Sequence, residues 1–240
     1  MSISSSNPTG NILNALTSSI VKKTITAITG IALVLFAIFH LLGNLTLFYK
    51  DPAVFNAYAE KLESLGILFV IAEVGLVALF GIHVLNGIRL KLDHRAARPV
   101  GYKQWRSKKG PSKANVSSLY MAVTGIILLA FLILHILQFR LGPGEAQGYV
   151  TTLGGLEARD LHRLVLEIFA QPFFVAIYVI SVIALGFHLR HGFWSSFQSL
   201  GVSSPRVIRG LEKVGILLSI LLTVGFAAIP LWIYCQGGLS

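Results

Sequence analysis

Five long apolar runs are the feature that most constrains how this chain folds. They cover residues of about 24–48, 65–90, 117–139, 164–194 and 207–234. Each run supplies the roughly 20 apolar residues that a helix needs to cross a bilayer. In lipid only helices or closed barrels satisfy the backbone, and these runs lack the alternation of barrel strands. The sequence therefore predicts an all-α integral membrane bundle of five transmembrane helices, forming one domain over residues 1–240.

The composition supports a membrane protein. Hydrophobic residues make up 54% of the chain and charged residues only 12%, whereas a soluble domain carries about 25% charged residues. The single cysteine, Cys235, excludes an internal disulfide and an iron–sulfur cluster held by this chain alone. The net charge of +10 lies in loops beside the apolar runs. There it favours membrane orientation and contact with anionic lipid, so no nucleic-acid partner is expected.

The distribution of lysine and arginine predicts the orientation. Nine of them occupy the loop of residues 89–113, and further ones precede the first run and follow the fourth. The opposite side has five. By the positive-inside rule the N-terminus is cytoplasmic and the C-terminus is outside. The polar N-terminal residues do not look like a cleaved signal, and residues 11–23 are a candidate for a short interfacial helix.

The first four runs contain an internal repeat. A Thr-Gly-Ile triplet precedes His40 in the first run and His135 in the third, with identical spacing. The second and fourth runs share a Gly-x-His-x-x-x-Gly pattern around His83 and His188. Each of these two histidines shares a helix face with the glycine four residues later. The pattern indicates that helices one and two are related to helices three and four in parallel orientation, and duplication is the hypothesis it raises.

The four histidines fall at two depths. At ~1.5 Å of helical rise per residue, His40 and His135 lie roughly 25 Å from the cytoplasmic edge, whereas His83 and His188 lie roughly 9 Å from it. Two layers of paired imidazoles are typical of two bis-histidine haems. A glycine one turn after a ligand lets a flat macrocycle lie against the helix. Bis-imidazole ligation leaves no open iron position, which favours electron transfer over oxygen chemistry.

Other roles for these histidines stay open at this point. A histidine in a membrane helix can also hydrogen-bond a neighbouring helix or line a proton path. His191 competes with His188 as the fourth ligand. We favour His188 because it matches the repeat, lies deeper and has Gly192 one turn later. We expect His94 and His162 to be solvated, with a quinone or proton site as the alternative for His162.

At these residues the chain resembles the di-haem cytochrome b membrane-anchor subunit of succinate:quinone oxidoreductases, the succinate dehydrogenases and fumarate reductases with a single large anchor. The resemblance covers almost the whole chain: five helices, N-terminus inside, and one histidine on each of the first four helices. Its specific matches are the Thr124-Gly125-Ile126 triplet, the His-x-x-x-Gly patterns at His83 and His188, and Gly192-Phe193-Trp194.

The resemblance implies a role for each candidate site residue. His40 and His135 would hold the distal haem b, and His83 and His188 the proximal one. The candidates for contact with haem propionates are Arg89, Lys91, Arg190 and His191. The quinone, expected to be menaquinone, would bind near the distal haem. The acids considered for its proton chemistry are Glu73, which lies inside a run, and Glu60, Glu63 and Glu167, which lie near the outer interface.

The resemblance also implies two partners in a bacterial inner membrane. An FAD flavoprotein subunit would interconvert succinate and fumarate, and an iron–sulfur subunit would dock on the basic loops 89–113 and 195–213. A dimer of the whole complex is compatible with this arrangement. Some fumarate reductase relatives carry an acid two residues before the fourth histidine. Here Gly186 occupies that position, so a proton path through that acid is not supported, and succinate oxidation is slightly favoured.

Three rival functions remain at the level of sequence. One is the cytochrome b subunit of another respiratory complex, such as formate dehydrogenase, hydrogenase or nitrate reductase, whose ligands fall on other helices. The second is a haem-free transporter with histidine-lined helices, which parallel repeats would suit. The third is a structural anchor that has lost its haem. Haem content separates the last two from the cytochromes.

Overall fold

The computed structural model describes residues 18–96 and 120–237, apart from the side chain of His94. Its α-helices, in chain order, are α1 (Ser19–Asn44), α2 (Pro52–Glu63), α3 (Ile67–Ala96), α4 (Met121–His135), α5 (Leu161–Phe169), α6 (Pro172–Ser199) and α7 (Pro205–Cys235). The shorter elements are 3-10 helices at Leu45–Phe48 and Glu145–Gln147, a π-helical turn at Ile136–Arg140, and strands β1 (Val150–Leu153) and β2 (Leu156–Arg159).

Five of these helices are long and apolar enough to cross a membrane: α1 with its 3-10 extension, α3, α4 with its π turn, α6 and α7. Their outer faces are apolar, and Phe39, Val77 and Ile126 are each 65–70% exposed. Contiguous apolar surface of this kind is rare on soluble monomers and suits contact with lipid. The expectation of five apolar helices of membrane-spanning length is confirmed.

Helix α6 lies at the centre of the bundle and contacts α1, α4 and α7. Its buried face carries Tyr178 and Leu189, which join Leu41 of α1 and Leu222 of α7 in one apolar core. Helix α3 is peripheral: it packs on α1 and α4, and no residue in its most apolar stretch is buried. Consecutive spanning helices run antiparallel, so each half of the repeat is a helical hairpin, α1 with α3 and α4 with α6.

The predicted fourth helix, 164–194, is wrong as a single element. The chain forms two helices instead, α5 and α6, and the break falls at Gln171, whose backbone is extended (φ −95°, ψ 116°). Pro172 is the first residue of α6. A proline lacks the N–H that would continue α5, and its ring pushes the preceding residue out of the helical region. Pro172 therefore begins a helix rather than lying inside one.

The connections at the end of the bundle that carries α2 were not predicted. Asp51 caps α2 by accepting a hydrogen bond from the Ala53 amide at 2.9 Å. Strands β1 and β2 pair antiparallel, and Gly154 and Gly155 both adopt positive φ in the two-residue turn between them. Such turns need positive φ at both central positions, which glycine supplies without strain.

The opposite end of the bundle is where the predicted basic loop begins. Ser18 caps α1 by accepting from the Val21 amide at 3.3 Å, so α1 begins before the predicted residue 24. Lys22 of α1 pairs with Asp93 of α3 at 2.7 Å. Residues 11–17 of the expected interfacial helix, and residues 97–113 of the basic loop, lie outside the described residues. We call this end, where α1 begins and α3 ends, the basic end.

Candidate functional site

His83 of α3 faces α1 across the first helical hairpin. Its Nδ1 lies 3.1 Å from the hydroxyl oxygen of Thr29. That hydroxyl lies 2.8 Å from the carbonyl oxygen of Ile25, to which it donates its single proton. With that proton engaged, the Thr29 oxygen is available as an acceptor for a His83 ring that carries its proton on Nδ1. The Nε2 atom of such a ring keeps the lone pair that metal ligation requires.

His188 of α6 repeats this arrangement in the second hairpin. Its Nδ1 lies 3.1 Å from the hydroxyl oxygen of Thr124 on α4. The Thr124 hydroxyl lies 3.1 Å from the carbonyl oxygens of Tyr120 and Met121, so its proton is also engaged. The Thr124 oxygen is therefore likewise available as an acceptor for a His188 ring that carries its proton on Nδ1. The Thr-Gly-Ile triplets make the same contact in both halves of the chain, which supports the internal repeat.

The rings of His83 and His188 form a pair. Their centroids are 6.4 Å apart and their planes are inclined by 65°. Two metal–nitrogen bonds of about 2 Å, with each ring centre about 1 Å farther out, place the centroids of trans imidazoles about 6 Å apart. One metal ion between the rings would fit this separation.

His40 and His135 form the second pair, with centroids 5.7 Å apart. The Nδ1 atom of His135 lies 3.3 Å from the phenolic oxygen of Tyr178, which itself donates to the side-chain oxygen of Gln138 at 2.8 Å. The Tyr178 oxygen is thus available as an acceptor for a His135 ring that carries its proton on Nδ1 and leaves Nε2 unprotonated. His40 lies among aromatic rings, stacked on Phe36 with centroids 5.3 Å apart.

The two pairs occupy different levels of the bundle. His40 is eleven residues beyond Thr29 on α1, which corresponds to roughly 16 Å of helical rise. Since Thr29 contacts His83, the His40–His135 pair lies about that far from the His83–His188 pair. The structure brings together the histidines that the depth argument paired. That these pairs bind haem stays a prediction.

Glycines lie beside both rings of the His83–His188 pair. A Cβ atom added to Gly30 would lie 3.2 Å from Cε1 of His83, and one added to Gly125 would lie 3.8 Å from Cε1 of His188. Glycine at both positions thus gives each ring room beside the neighbouring helix. An added Cβ at Gly87, one turn after His83, would meet no described atom within 4 Å. At Gly192, one turn after His188, an added Cβ would lie 3.9 Å from Cε of Met121, an ordinary van der Waals contact.

His191 is an orphaned buried group beside this pair. Its Nδ1 atom is buried and has no hydrogen-bond partner among the described residues. The ring packs edge-on against Trp194 with centroids 5.0 Å apart. An unpaired buried nitrogen costs free energy, and a haem propionate would supply the missing partner. The other propionate candidates, Arg89, Lys91 and Arg190, are exposed near the basic end.

The acid expected inside a span, Glu73, is ion-paired. It accepts from Nε of Arg140, and its second carboxylate oxygen lies 3.0 Å from Nη2 of the same guanidinium. This pair joins α3 to the π turn at the end of α4, at the end opposite the basic one. Glu73 and Arg140 are 31% and 50% exposed, so the pair lies at the bundle surface. Glu60 and Glu63 are exposed on α2.

Glu167 belongs to a separate surface cluster on α5. It accepts hydrogen bonds from the hydroxyl of Tyr149 and from Nε of Arg163, the latter at 2.8 Å. The bond from Tyr149 holds the pKa of Glu167 below its usual value. The carboxylate is therefore charged and ties the segment before β1 to α5.

His162 is buried, so the expectation that it is solvated is wrong. Its ring is against Phe55 of α2, and its amide donates to the Asn56 side chain at 2.8 Å. Asn56, only 1% exposed, also donates to Asp160 at 2.8 Å. Burial lowers the pKa of His162. These contacts join α2 to α5. The other histidine expected to be solvated, His94, has its side chain outside the described residues.

Gly186 has a packing role that the sequence did not reveal. A Cβ atom at this position would overlap the hydroxyl of Thr223 on α7. That hydroxyl donates to the Val182 carbonyl, one turn back on α6, at 3.3 Å. A longer side chain here would separate α6 from α7. The position two residues before His188 is therefore a close contact between α6 and α7.

The sequence alone does not identify the residues whose hydroxyl groups contact Nδ1 of the histidines. The Thr-Gly-Ile triplets were recognised as a repeat, but not as partners of His83 and His188. Tyr178 was overlooked, although it lies ten residues before His188 and therefore at about the depth of His135. Comparing the depths of hydroxyl side chains with those of the histidines identifies Tyr178 as a candidate partner of His135.

No protein-family model matches the chain, no similar curated protein was found, and no solved structure resembles it detectably. Function is therefore inferred from the geometry of the site.

Proposed function

We propose that this chain is the membrane-anchor cytochrome b subunit of a succinate dehydrogenase or fumarate reductase. It would carry electrons from an iron–sulfur subunit, through two bis-histidine haems b, to a quinone, with menaquinone the expected species. One observation carries the proposal: two histidine pairs lie at two levels of an apolar helical bundle, with ring centroids 6.4 Å apart in one pair and 5.7 Å apart in the other.

The tautomers of the histidines support ligation. Three of the four rings place Nδ1 beside a hydroxyl that donates elsewhere, so a ring that donates to this hydroxyl would keep Nε2 free for a metal. Ligand histidines in metal sites characteristically make a second hydrogen bond of this kind. Haem b, when bound, would supply a one-electron redox centre. His83 and His188 would hold one haem iron and His40 and His135 the other, and two imidazole ligands on each iron would favour electron transfer over dioxygen chemistry.

The charge distribution supports the orientation. The basic end would face the bacterial cytoplasm, with the N-terminus inside and the C-terminus outside. The His83–His188 pair would then hold the proximal haem, near a docked iron–sulfur subunit and its FAD flavoprotein partner. The His40–His135 pair would hold the distal haem, on the side where Glu73 is the foremost candidate for the quinone site.

Succinate-driven haem reduction tests this proposal directly. The tagged chain is purified in mild detergent with the subunits that accompany it, and its b-type absorbance is followed after addition of succinate. We expect succinate to reduce a large part of the haem that dithionite reduces. In the His188→Ala variant we expect succinate-dependent reduction to be lost, because the proximal iron would lack a ligand.

The matched control is His162→Gln, which changes a buried histidine outside both pairs and should preserve reduction by succinate. Haem that dithionite reduces but succinate does not would contradict the succinate assignment and favour another respiratory complex. A correctly inserted protein without haem would contradict the whole proposal and favour the histidine-lined transporter.

A further inference from the structure

The contacts between His83 and Thr29 and between His188 and Thr124 are a matched pair, each 3.1 Å long. We propose that Thr29 and Thr124 are positioning residues that fix the protonation and raise the basicity of these two rings, and so lower the reduction potential of the iron bound between them. This inference rests on the proposed function, since it concerns the same iron.

Each threonine hydroxyl is held in one orientation. Both threonines are only 6% exposed. A helical threonine has two accessible rotamers, and bonding to the carbonyl three or four residues back selects between them. Thr29 donates to Ile25 at 2.8 Å and Thr124 to the carbonyls one turn back at 3.1 Å. The hydroxyl oxygen thus presents lone pairs, and no proton, to the imidazole.

This arrangement makes each ring a stronger ligand. A hydroxyl that donates to a carbonyl is a better acceptor, because chained hydrogen bonds polarise one another. An acceptor at Nδ1–H shifts electron density towards Nε2 and raises the basicity of the ligand. A more basic nitrogen stabilises ferric iron more than ferrous iron. The reduction potential of that iron is therefore lower than it would be without the hydroxyl.

The glycine that follows each threonine completes the device. A Cβ atom added to Gly30 would lie 3.2 Å from Cε1 of His83, and one added to Gly125 would lie 3.8 Å from Cε1 of His188. In each Thr-Gly pair the threonine thus supplies the hydrogen-bond acceptor, and the glycine leaves space for the imidazole ring. The same Thr-Gly pair serves both ligands of one iron, so the two contacts should act in the same direction.

The second histidine pair provides an internal reference. His135 meets a tyrosine at 3.3 Å, and His40 stacks on an aromatic ring. Neither ring contacts Thr29 or Thr124, which lie roughly 16 Å away along the helices. Loss of a threonine hydroxyl should therefore change the reduction potential of one haem and leave that of the other unchanged.

Redox titration of the purified complex tests the inference. In Thr29→Val and Thr124→Val we expect the ferric-over-ferrous preference of one haem to fall about tenfold, an upward shift of about 59 mV in its potential. The double variant should shift it further. Thr29→Ser, which keeps the hydroxyl, should restore the wild-type value.

The control is Ser199→Ala near the end of α6, which removes a hydroxyl that donates to the Ser195 carbonyl one turn back at 3.0 Å. It should leave both potentials unchanged. Unchanged potentials in both Thr→Val variants, or equal shifts of both haems, would overturn the inference. So would loss of haem from Thr29→Ser as well as from Thr29→Val, which would indicate packing rather than hydrogen bonding. Those outcomes leave the proposed function standing, whereas a haem-free wild type overturns it.

Discussion

Replacing Gly30 by alanine should loosen one haem through a single steric contact. The new Cβ would lie 3.2 Å from Cε1 of His83, inside the optimal carbon–carbon separation of about 3.5–4.0 Å. The ring has little room to move, because Thr29 holds its Nδ1. Overpacking of this kind costs about 1–3 kcal/mol, which corresponds to about 5- to 150-fold weaker retention of the haem.

Gly125→Ala is the matched control from the other half of the repeat. Its Cβ would lie 3.8 Å from Cε1 of His188, an ordinary van der Waals contact. Both variants gain about 1 kcal/mol of helix propensity, so the stability of the helix does not distinguish them. The contrast therefore isolates the contact with the ligand ring.

The assay is transfer of haem to excess apomyoglobin, followed by the fall in b-type absorbance of the membrane protein. We expect Gly30→Ala to release one haem faster than wild type and to keep the other. Gly125→Ala should release its haems close to the wild-type rate. Equal release from the two alanine variants, or loss of both haems together from Gly30→Ala, would refute the steric reasoning.

Three further predictions concern the two histidine pairs and the α2–α5 contact. His83→Ala and His188→Ala should each remove the same haem, and His40→Ala and His135→Ala the other, as measured by haem per chain; loss of neither haem from any of them would defeat the pairing. Tyr178→Phe removes the acceptor for His135, so it should perturb only the haem of the His40–His135 pair in the reduced spectrum and cost about 0.5–1.5 kcal/mol of stability. Burial lowers the pKa of His162, so the unfolded chain binds more protons below its ordinary pKa of about 6.5, and stability should fall as the pH drops through that range. His162→Gln should flatten this part of a thermal-stability profile, and an unchanged profile would show that another group is responsible.

The sequence predicts the long apolar helices because length and hydropathy alone determine them. It predicts the histidine pairing because helical rise is regular and the repeat fixes the depth of each ring. The sequence does not predict the ion pair between Glu73 and Arg140, because the two residues are 67 positions apart and their contact depends on how α3 packs on α4. The ends of elements were less accurate. Pro172 could have been recognised as a helix start, since Gln171 before it is disfavoured in a helical conformation.

Polar contacts between helices were the least predictable part of the site. Thr29 and Thr124 resemble ordinary membrane-helix residues in the sequence, and only the facing histidine gives them a role. The packing role of Gly186 depends on Thr223, which lies on another helix. The polar segment before His162 predicts an exposed side chain. The residue is instead covered by Phe55 and Asn56 of α2, a helix that the sequence did not predict.

The most direct test of the central claim is the haem-to-protein ratio of the purified chain, obtained from its pyridine haemochrome spectrum and its amino-acid content. Two b haems per chain are expected, one for each histidine pair. A correctly inserted chain with no haem would contradict the account, and a single haem would contradict the assignment of the two pairs as separate sites.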